Sequence, residues 1–260
     1  MPEPGFKKFK FFGFSDVGKV RKHNEDSYLC NEEARLFLVA DGMGGHASGE
    51  TASQMAISRV EEHMTRPRSR EGRSGPGFRE TLSPEQNRLL AATHYANQRI
   101  YELAGRTPSM KGMGTTIVGV VIDGNHLAVV NVGDTRLYRV RQGELEQITE
   151  DHTLVGEQQR MGILSREEAR RHARRHILTS ALGIYESPRI DVLRPEIAPS
   201  DLYIISSDGL HDMLEDHEIV GTITAVKDKS LYKIGISLIL KANLAGGLDN
   251  ITVVLLSFPS

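Results

Sequence analysis

The 260-residue sequence predicts an α+β fold built on antiparallel sheets. Two observations predict it. Strand-like apolar segments come in groups and amphipathic helices come in pairs, without the regular strand–helix alternation of a doubly wound parallel sheet. Neighbouring strands are also joined by short turn signals, Asp123-Gly124-Asn125 and Gln142-Gly143, which mark antiparallel hairpins.

Taken in order, Lys8 to Phe14 sets Phe9 and Phe11 against Lys8 and Lys10, the period-2 pattern of a half-buried strand. Leu36-Phe37-Leu38-Val39-Ala40 is a continuous apolar run that stops at Asp41-Gly42 and reads as a buried strand. Ala52, Met55, Ala56, Val60 and Met64 share one helical face. Residues 65–82, rich in Arg, Gly, Ser and Pro, read as an exposed loop. Its basic character could dock acidic phosphoproteins, although plain solvation accounts for it as well. Ser83-Pro84-Glu85-Gln86 opens a helix with a capping box, Leu89, Thr93, Ala96, Ile100 and Leu103 supply its core face, and Gly105 ends it.

The middle of the chain is sheet: strands over 115–122 and 126–132, then 136–140 and 145–149. Residues 154–177 return to helix, with a capping box at Ser165 and Glu168. Strands over 192–196 and 202–207 follow, then helices near 215–225 and 230–244, then a last strand over 251–258. There is no internal repeat and no break in pattern, so residues 1–260 are expected to form a single domain.

Composition narrows the function. The chain is 39% hydrophobic and 25% charged, enough apolar material for one large core or at most two small ones. A formal net charge of -2 lacks the basic footprint of a nucleic-acid binder. The single cysteine, Cys30, allows no intramolecular disulfide and suits a reducing, cytoplasmic setting. The N-terminus has no secretory pattern, and runs such as Ile251–Leu256 are far short of a bilayer span, so no membrane is expected as a partner.

Three aspartates share a setting. Asp41 ends Leu-Phe-Leu-Val-Ala, Asp208 ends Tyr-Ile-Ile-Ser-Ser, and Asp249 precedes Asn250 and the strand Ile-Thr-Val-Val-Leu-Leu. Each carboxylate lies at the end of a strongly apolar strand with glycine beside or near it. A carboxylate at the margin of a core is costly unless a cation or donor compensates it. All-oxygen ligation suits Mg²⁺ and Mn²⁺, and no Cys/His spacing suggests zinc. Any one of these aspartates could instead be a turn former; the three together argue for a metal. The segment Asp16 to Asp26 adds Arg21, Glu25 and Asp26, with Arg21 able to clamp phosphate.

Six segments then resemble, in order, the motifs of the metal-dependent PPM (type 2C) serine/threonine protein phosphatases in their bacterial form. They are Asp16-Val-Gly-Lys-Val-Arg-Lys-His-Asn-Glu-Asp26, Asp41-Gly-Met-Gly-Gly-His46, Gly112-Met-Gly-Thr-Thr116, Val132-Gly-Asp-Thr-Arg136, Ile205-Ser-Ser-Asp-Gly-Leu-His-Asp212 and Gly246-Gly-Leu-Asp-Asn-Ile-Thr252. The resemblance implies two packed antiparallel β-sheets flanked by helices on both outer faces, an α/β/β/α sandwich. It implies two divalent cations, Mn²⁺ or Mg²⁺, with a third held more weakly. Asp41 would bridge the pair, the Gly42 carbonyl would add a ligand, and Asp208 and Asp249 would complete one shell. Glu25 and Asp26 would hold or orient bound waters, Arg21 would bind the substrate phosphate, and Asp134 and Asp212 would hold the third ion. Residues 154–187 fall where the family has a flap.

The implied reaction is direct hydrolysis of phosphoserine or phosphothreonine by a water bridging two metals. His46, alongside a metal-bound water, is the candidate to protonate the leaving oxygen; the position of the eukaryotic branch's histidine is held here by Met43. Ser180 stands where many relatives carry arginine, near the flap. The resemblance also implies phosphorylated proteins as partners, including a cognate serine/threonine kinase and its targets, and a monomer.

Other classes fit less well. Cys30 is followed by Asn-Glu-Glu, and acidic neighbours disfavour a thiolate nucleophile. No P-loop motif is present. A pseudophosphatase serving as a phosphoprotein-binding module would be expected to lose a metal aspartate, and this chain keeps all three. The His172-Ala-Arg-Arg-His176 run reads as a solvated helix face, and His152 and His211 as local packing residues.

Overall fold

A computed structural model describes residues 8–44, 47–67 and 77–259, so half of the predicted 65–82 loop, residues 68–76, lies outside the described residues. The strands are β1 (Lys10–Asp16), β2 (Asp26–Asn31), β3 (Leu36–Met43), β4 (Gly114–Thr115), β5 (Ile117–Asp123), β6 (His126–Val132), β7 (Arg136–Arg141), β8 (Glu144–Gln147), β9 (Asp191–Leu193), β10 (Leu202–Ser206) and β11 (Ile251–Ser257). The helices are α1 (Ala47–Thr65), α2 (Pro84–Arg106), α3 (Leu154–Arg160), α4 (Arg166–Arg171), α5 (Asp208–His211), α6 (Asp216–Ala225) and α7 (Leu231–Leu244).

The strands form two antiparallel sheets. One runs β1-β11-β10-β7-β8, the other β2-β3-β5-β6-β9 with β4 paired to β3. The expected sandwich is present, because every central strand is apolar on both faces. In β3, Leu36, Leu38 and Ala40 pack under α1 and α2, while Phe37 and Val39 meet the other sheet. In β10, Leu202 and Ile204 pack under α6 and α7, while Tyr203 and Ile205 point between the sheets. A strand buried on both sides shows no polar alternation, which explains the unbroken apolar runs. Each fully buried side chain of this size contributes roughly 1.5–3 kcal/mol.

Local signals set the boundaries. Ser83 and Gln86 form the predicted capping box at the start of α2, which continues one residue beyond Gly105. Gln142 and Gly143 both take positive φ, the geometry of a two-residue hairpin between β7 and β8.

Four readings change. The predicted helix over 154–177 is two short helices, because Gly162 takes φ 72° and Ser165 opens a new capping box. His172 has extended backbone and stops the second, so residues 172–177 are not helical. The strand expected over 192–196 ends at Leu193, two residues before Pro195, which has no N–H for a ladder. Asp41 does not terminate its strand: β3 runs through Gly42, which pairs with Thr115, to Met43. Among the described residues, no helix is long and apolar enough to cross a membrane.

Candidate active site

Strand parity locates the site. Side chains alternate along β3, so Asp41 extends the Phe37–Val39 row that faces the opposite sheet. Across the β2–β3 ladder, Asp41 is the direct partner of Asp26. From the other sheet, Ser207 follows the Tyr203–Ile205 row and Thr252 precedes the Val254–Leu256 row. All four reach the same end of the inter-sheet core, where apolar packing gives way to polar groups.

Asp26 is buried, and its Oδ2 accepts hydrogen bonds from Ser207 Oγ at 2.7 Å and Thr252 Oγ1 at 2.6 Å. Thr252 is linked to Ser15 Oγ at 2.7 Å, and Ser15 accepts from Asn24 Nδ2 at 2.8 Å. The other carboxylate oxygen, Asp26 Oδ1, is sealed from solvent without a hydrogen-bond partner among the described residues. Burial pushes the Asp26 carboxyl up to about 6, against the pull of its two hydroxyl donors.

Asp41 is held through its backbone. Its carbonyl accepts from Thr115 Oγ1 at 2.8 Å and Thr116 N–H at 2.9 Å, and its N–H donates to Thr116 Oγ1 at 3.1 Å. Its carboxyl is driven well above the ordinary range by burial first, then by the charges of Asp26, Asp208, Asp134 and Asp249. Gly42 is buried beside it, with its N–H bonded to the Glu25 carbonyl at 3.1 Å. The Glu25 carboxylate lies against Gly49 of α1.

Asp208 and Asp249 reach this end from the second sheet. Asp208 opens α5, a short helix with no sequence forecast; its Oδ1 is also buried and partnerless among the described residues. Burial, followed by Asp134, Asp212, Asp249 and Asp26, drives its carboxyl well above the usual range. The two segments touch through glycine. A Cβ on Gly209 would fall 2.0 Å from the Asn250 carbonyl oxygen, and one on Gly18, at φ 78°, would fall 2.2 Å from that of Asp249. Arg21 donates from Nη2 to Asp249 Oδ2 at 2.6 Å, with half of its side chain exposed at the rim.

Asp134 lies beyond, between β6 and β7. Burial, with help from Asp151, pushes its carboxyl up to about 7. Arg136 clamps Asp151 through Nε at 2.9 Å and Nη2 at 2.6 Å. Asp212 closes α5 and is approached by His176 Nδ1 at 3.5 Å and Arg175 Nη2 at 3.8 Å. His46 lies outside the described residues.

Residues not forecast complete the frame. Asn250, 4% exposed, accepts the Glu25 N–H at its Oδ1 at 2.7 Å and donates from Nδ2 to the Val17 and His23 carbonyls, both at 2.9 Å. The available signal was a polar residue at the mouth of an apolar strand. His152 is fully buried: its Nδ1 accepts from Gly133 N–H at 3.3 Å, which leaves Nε2 to donate to Asp191 at 3.0 Å. It thereby fixes the backbone beside Asp134. His211 is buried and held well below its ordinary pKa by desolvation, so it carries no charge. Cys30 is pushed up to about 12 by burial and is not a nucleophile. Ser180 is buried and donates to the Arg189 carbonyl at 3.0 Å, so it faces the interior and not the flap surface.

The arrangement can hold divalent cations. Carboxylates from both sheets converge, two of their oxygens are buried without donors among the described residues, and burial, followed by mutual repulsion, drives the Asp41 and Asp208 carboxyls well above the ordinary range. Hard cations with oxygen preference would relieve each of these costs.

The chain is similar to known proteins over most of its length. The sequence model of the family described as protein phosphatase 2C matches residues 19–232. The chain is 33% identical over 249 residues to the serine/threonine phosphatase stp of Listeria welshimeri, covering 93% of this chain and 92% of that protein. The structure of the Streptococcus agalactiae serine/threonine phosphatase superposes with a TM-score of 0.85 at 34% identity, covering 97% of this chain and 100% of that one. The catalytic domain of serine/threonine protein phosphatase PstP, solved in complex with two manganese ions, superposes with a TM-score of 0.81 at 32% identity over 97% and 99% of the two chains.

Proposed function

The chain belongs to the protein phosphatase 2C family and is a serine/threonine protein phosphatase, and we propose that it hydrolyses phosphoserine and phosphothreonine by direct attack of water, without a phosphoenzyme. The whole chain acts as one catalytic domain, a cytoplasmic monomer in this reading. The observation that carries the reading is the pair of buried, donorless oxygens on Asp26 and Asp208, set among acids from both sheets. A site built only for structure would have given each oxygen a hydrogen-bond partner.

Two divalent cations, Mn²⁺ or Mg²⁺, with a third held more weakly, would acidify a water shared between them and offset charge on the phosphoryl oxygens. Asp41 would bridge the pair, the Gly42 carbonyl would add a ligand, and Asp208 and Asp249 would complete one shell. Asp26, fixed by Ser207 and Thr252, and Glu25, fixed by Asn250, orient water in the pocket. Arg21 can turn from Asp249 toward a phosphate, since its guanidinium keeps free donors at the rim. Asp134 and Asp212 would hold the third ion. His46 supplies the proton to the departing alkoxide.

The substrates are phosphorylated proteins, with a serine/threonine kinase and its targets as the natural counterparts. The test is hydrolysis of phosphoserine, phosphothreonine and phosphotyrosine peptides under controlled metal. EDTA should stop turnover and Mn²⁺ or Mg²⁺ should restore it on the first two. Turnover indifferent to chelation would refute the reading, and binding of phosphopeptides without hydrolysis would favour a pseudophosphatase.

A further inference from the structure

A concentration of positive charge lies beside the acidic cluster. Residues 160–176 carry six arginines against two glutamates, in a chain whose formal net charge is -2. Packing and backbone bonds hold this stretch in place. Ala169 of α4 is buried. Beyond α4, Arg175 N–H bonds to the His172 carbonyl and Ile177 N–H to the Arg174 carbonyl, both at 3.2 Å, and Leu154 N–H donates to the Ile177 carbonyl at 2.8 Å.

Ion pairs within the chain absorb only part of the charge. Arg166 pairs with Asp216 at 2.7 Å, Arg171 with Glu167 at 2.6 Å and Arg160 with Glu150 at 3.3 Å. Arg175 Nη2 stands 3.8 Å from Asp212 Oδ2, too far for a hydrogen bond. Arg174 is exposed and Arg170 half-buried, and neither has a carboxylate partner among the described residues. Burial first, then the charges of Arg136, Arg170, His176 and Arg166, hold His211 well below its ordinary pKa, so Arg170 lies within electrostatic reach of α5. Met161, Ile163 and Ile177 flank the run as large exposed apolar side chains. Arginine and methionine are residue types that protein interfaces gather.

We infer that this face selects acidic substrates, Arg170 and Arg174 with Arg175 binding Asp or Glu side chains near the phosphorylated residue. The inference rests on the reading of the Asp208 cluster as the hydrolytic centre, and it names the substrate class of that centre. Asp212 stands one helical turn from Asp208, about 5.4 Å along α5. An extended peptide advances about 3.3 Å per residue, so side chains about two to four positions from the phosphoresidue come abreast of these arginines. A pocket walled by aspartates would by itself repel such a peptide; arginines at its mouth reverse the field that the peptide meets on approach.

The test uses phosphothreonine peptides in matched pairs, glutamates against glutamines at those positions, on the N-terminal side in one pair and the C-terminal side in the other. With the Mn²⁺-loaded full chain at low salt, the acidic member of one pair should be preferred at least about tenfold in kcat/KM, chiefly through KM, and the preference should collapse at about 0.5 M salt. Arg170→Gln combined with Arg174→Gln should remove about tenfold of the preference, and Arg174→Glu, at an exposed position, at least about threefold. Both variants should hydrolyse a small aryl phosphate at the parent's rate, because it does not reach these arginines. Equal kcat/KM within both pairs, or a preference that survives both variants, would overturn the inference while leaving metal-dependent hydrolysis intact. Hydrolysis of none of the peptides would refute the catalytic reading instead, and fluorescence anisotropy of the same peptides would then decide the acidic preference by binding alone.

Discussion

The Oδ1 atom of Asn250 accepts the backbone N–H of Glu25 at 2.7 Å, joining the mouth of β11 to the residue that precedes β2. The same side chain donates to Val17 and His23, so one amide organises the whole segment that carries Arg21, Glu25 and Asp26. Asn250→Ala removes three hydrogen bonds at a buried position and should cost about 3 kcal/mol of stability. It should also weaken Mn²⁺ binding by roughly 10- to 100-fold, as loss of an outer-shell partner does. Calorimetric titration and thermal melts read both effects; an unaltered metal affinity would contradict the positioning role.

Asp208→Ala should lower turnover of a simple aryl phosphate by at least about a thousandfold, about 4 kcal/mol of transition-state stabilisation. In EDTA the same variant should melt at a higher temperature than the parent, because it removes a buried carboxyl repelled by Asp134, Asp212, Asp249 and Asp26. A large loss of metal-free stability would mean that Asp208 is a scaffold residue.

Arg21→Ala should raise KM about tenfold with kcat within a few-fold, since a phosphate clamp at the rim serves ground and transition states alike. Its bond to Asp249 is half exposed, so stability should change by less than about 1 kcal/mol. Steady-state kinetics with an unchanged KM would dismiss the role.

His46→Ala separates leaving groups. Turnover of a phosphothreonine peptide should fall about 100-fold, whereas an aryl phosphate, whose phenolate departs without a proton, should lose little. Equal losses on both would remove His46 from the proton path.

The metal-free protein should lose stability as pH rises from about 4 to about 7. Asp26 and Asp134 sit at about 6 and about 7 when folded, above the ordinary 3.8 of the unfolded chain. In that window the unfolded chain has released protons that the folded chain still holds, so the folded state is progressively disfavoured. Bound Mn²⁺ needs the carboxylates ionised and removes the penalty, so the melting-temperature gap between loaded and stripped protein should widen from pH 5 to pH 8. A gap that narrows over that range would contradict the assignment.

Much of the site was legible in the sequence, because an aspartate at the end of an apolar strand and beside glycine is an unusual expense that stands out locally. Asp41, Asp208 and Asp249 were found this way. Their company was not legible: that Asp26 faces Asp41 depends on the β2–β3 register, and that Ser207 and Thr252 serve Asp26 depends on how two sheets stack. Register and stacking are properties of long-range pairing and leave no trace in a window of ten residues. The failure at 154–177 has another origin. Helical residues on both sides concealed the break at Gly162, although the second capping box at Ser165 was itself a notice that a new helix begins there. His176 was read as a solvated helix face for the same reason.

Asp26 and Asp41 belong to one layer of the sandwich and Asp208 and Asp249 to the other, and at that edge the apolar rows between the layers give way, among the described residues, to these polar groups. Ions lodged there would be rivets as well as reagents. A cell short of manganese or magnesium would then lose catalytic power and mechanical integrity in the same event, which makes supply of the ion a control over the lifetime of the molecule and not only over its rate.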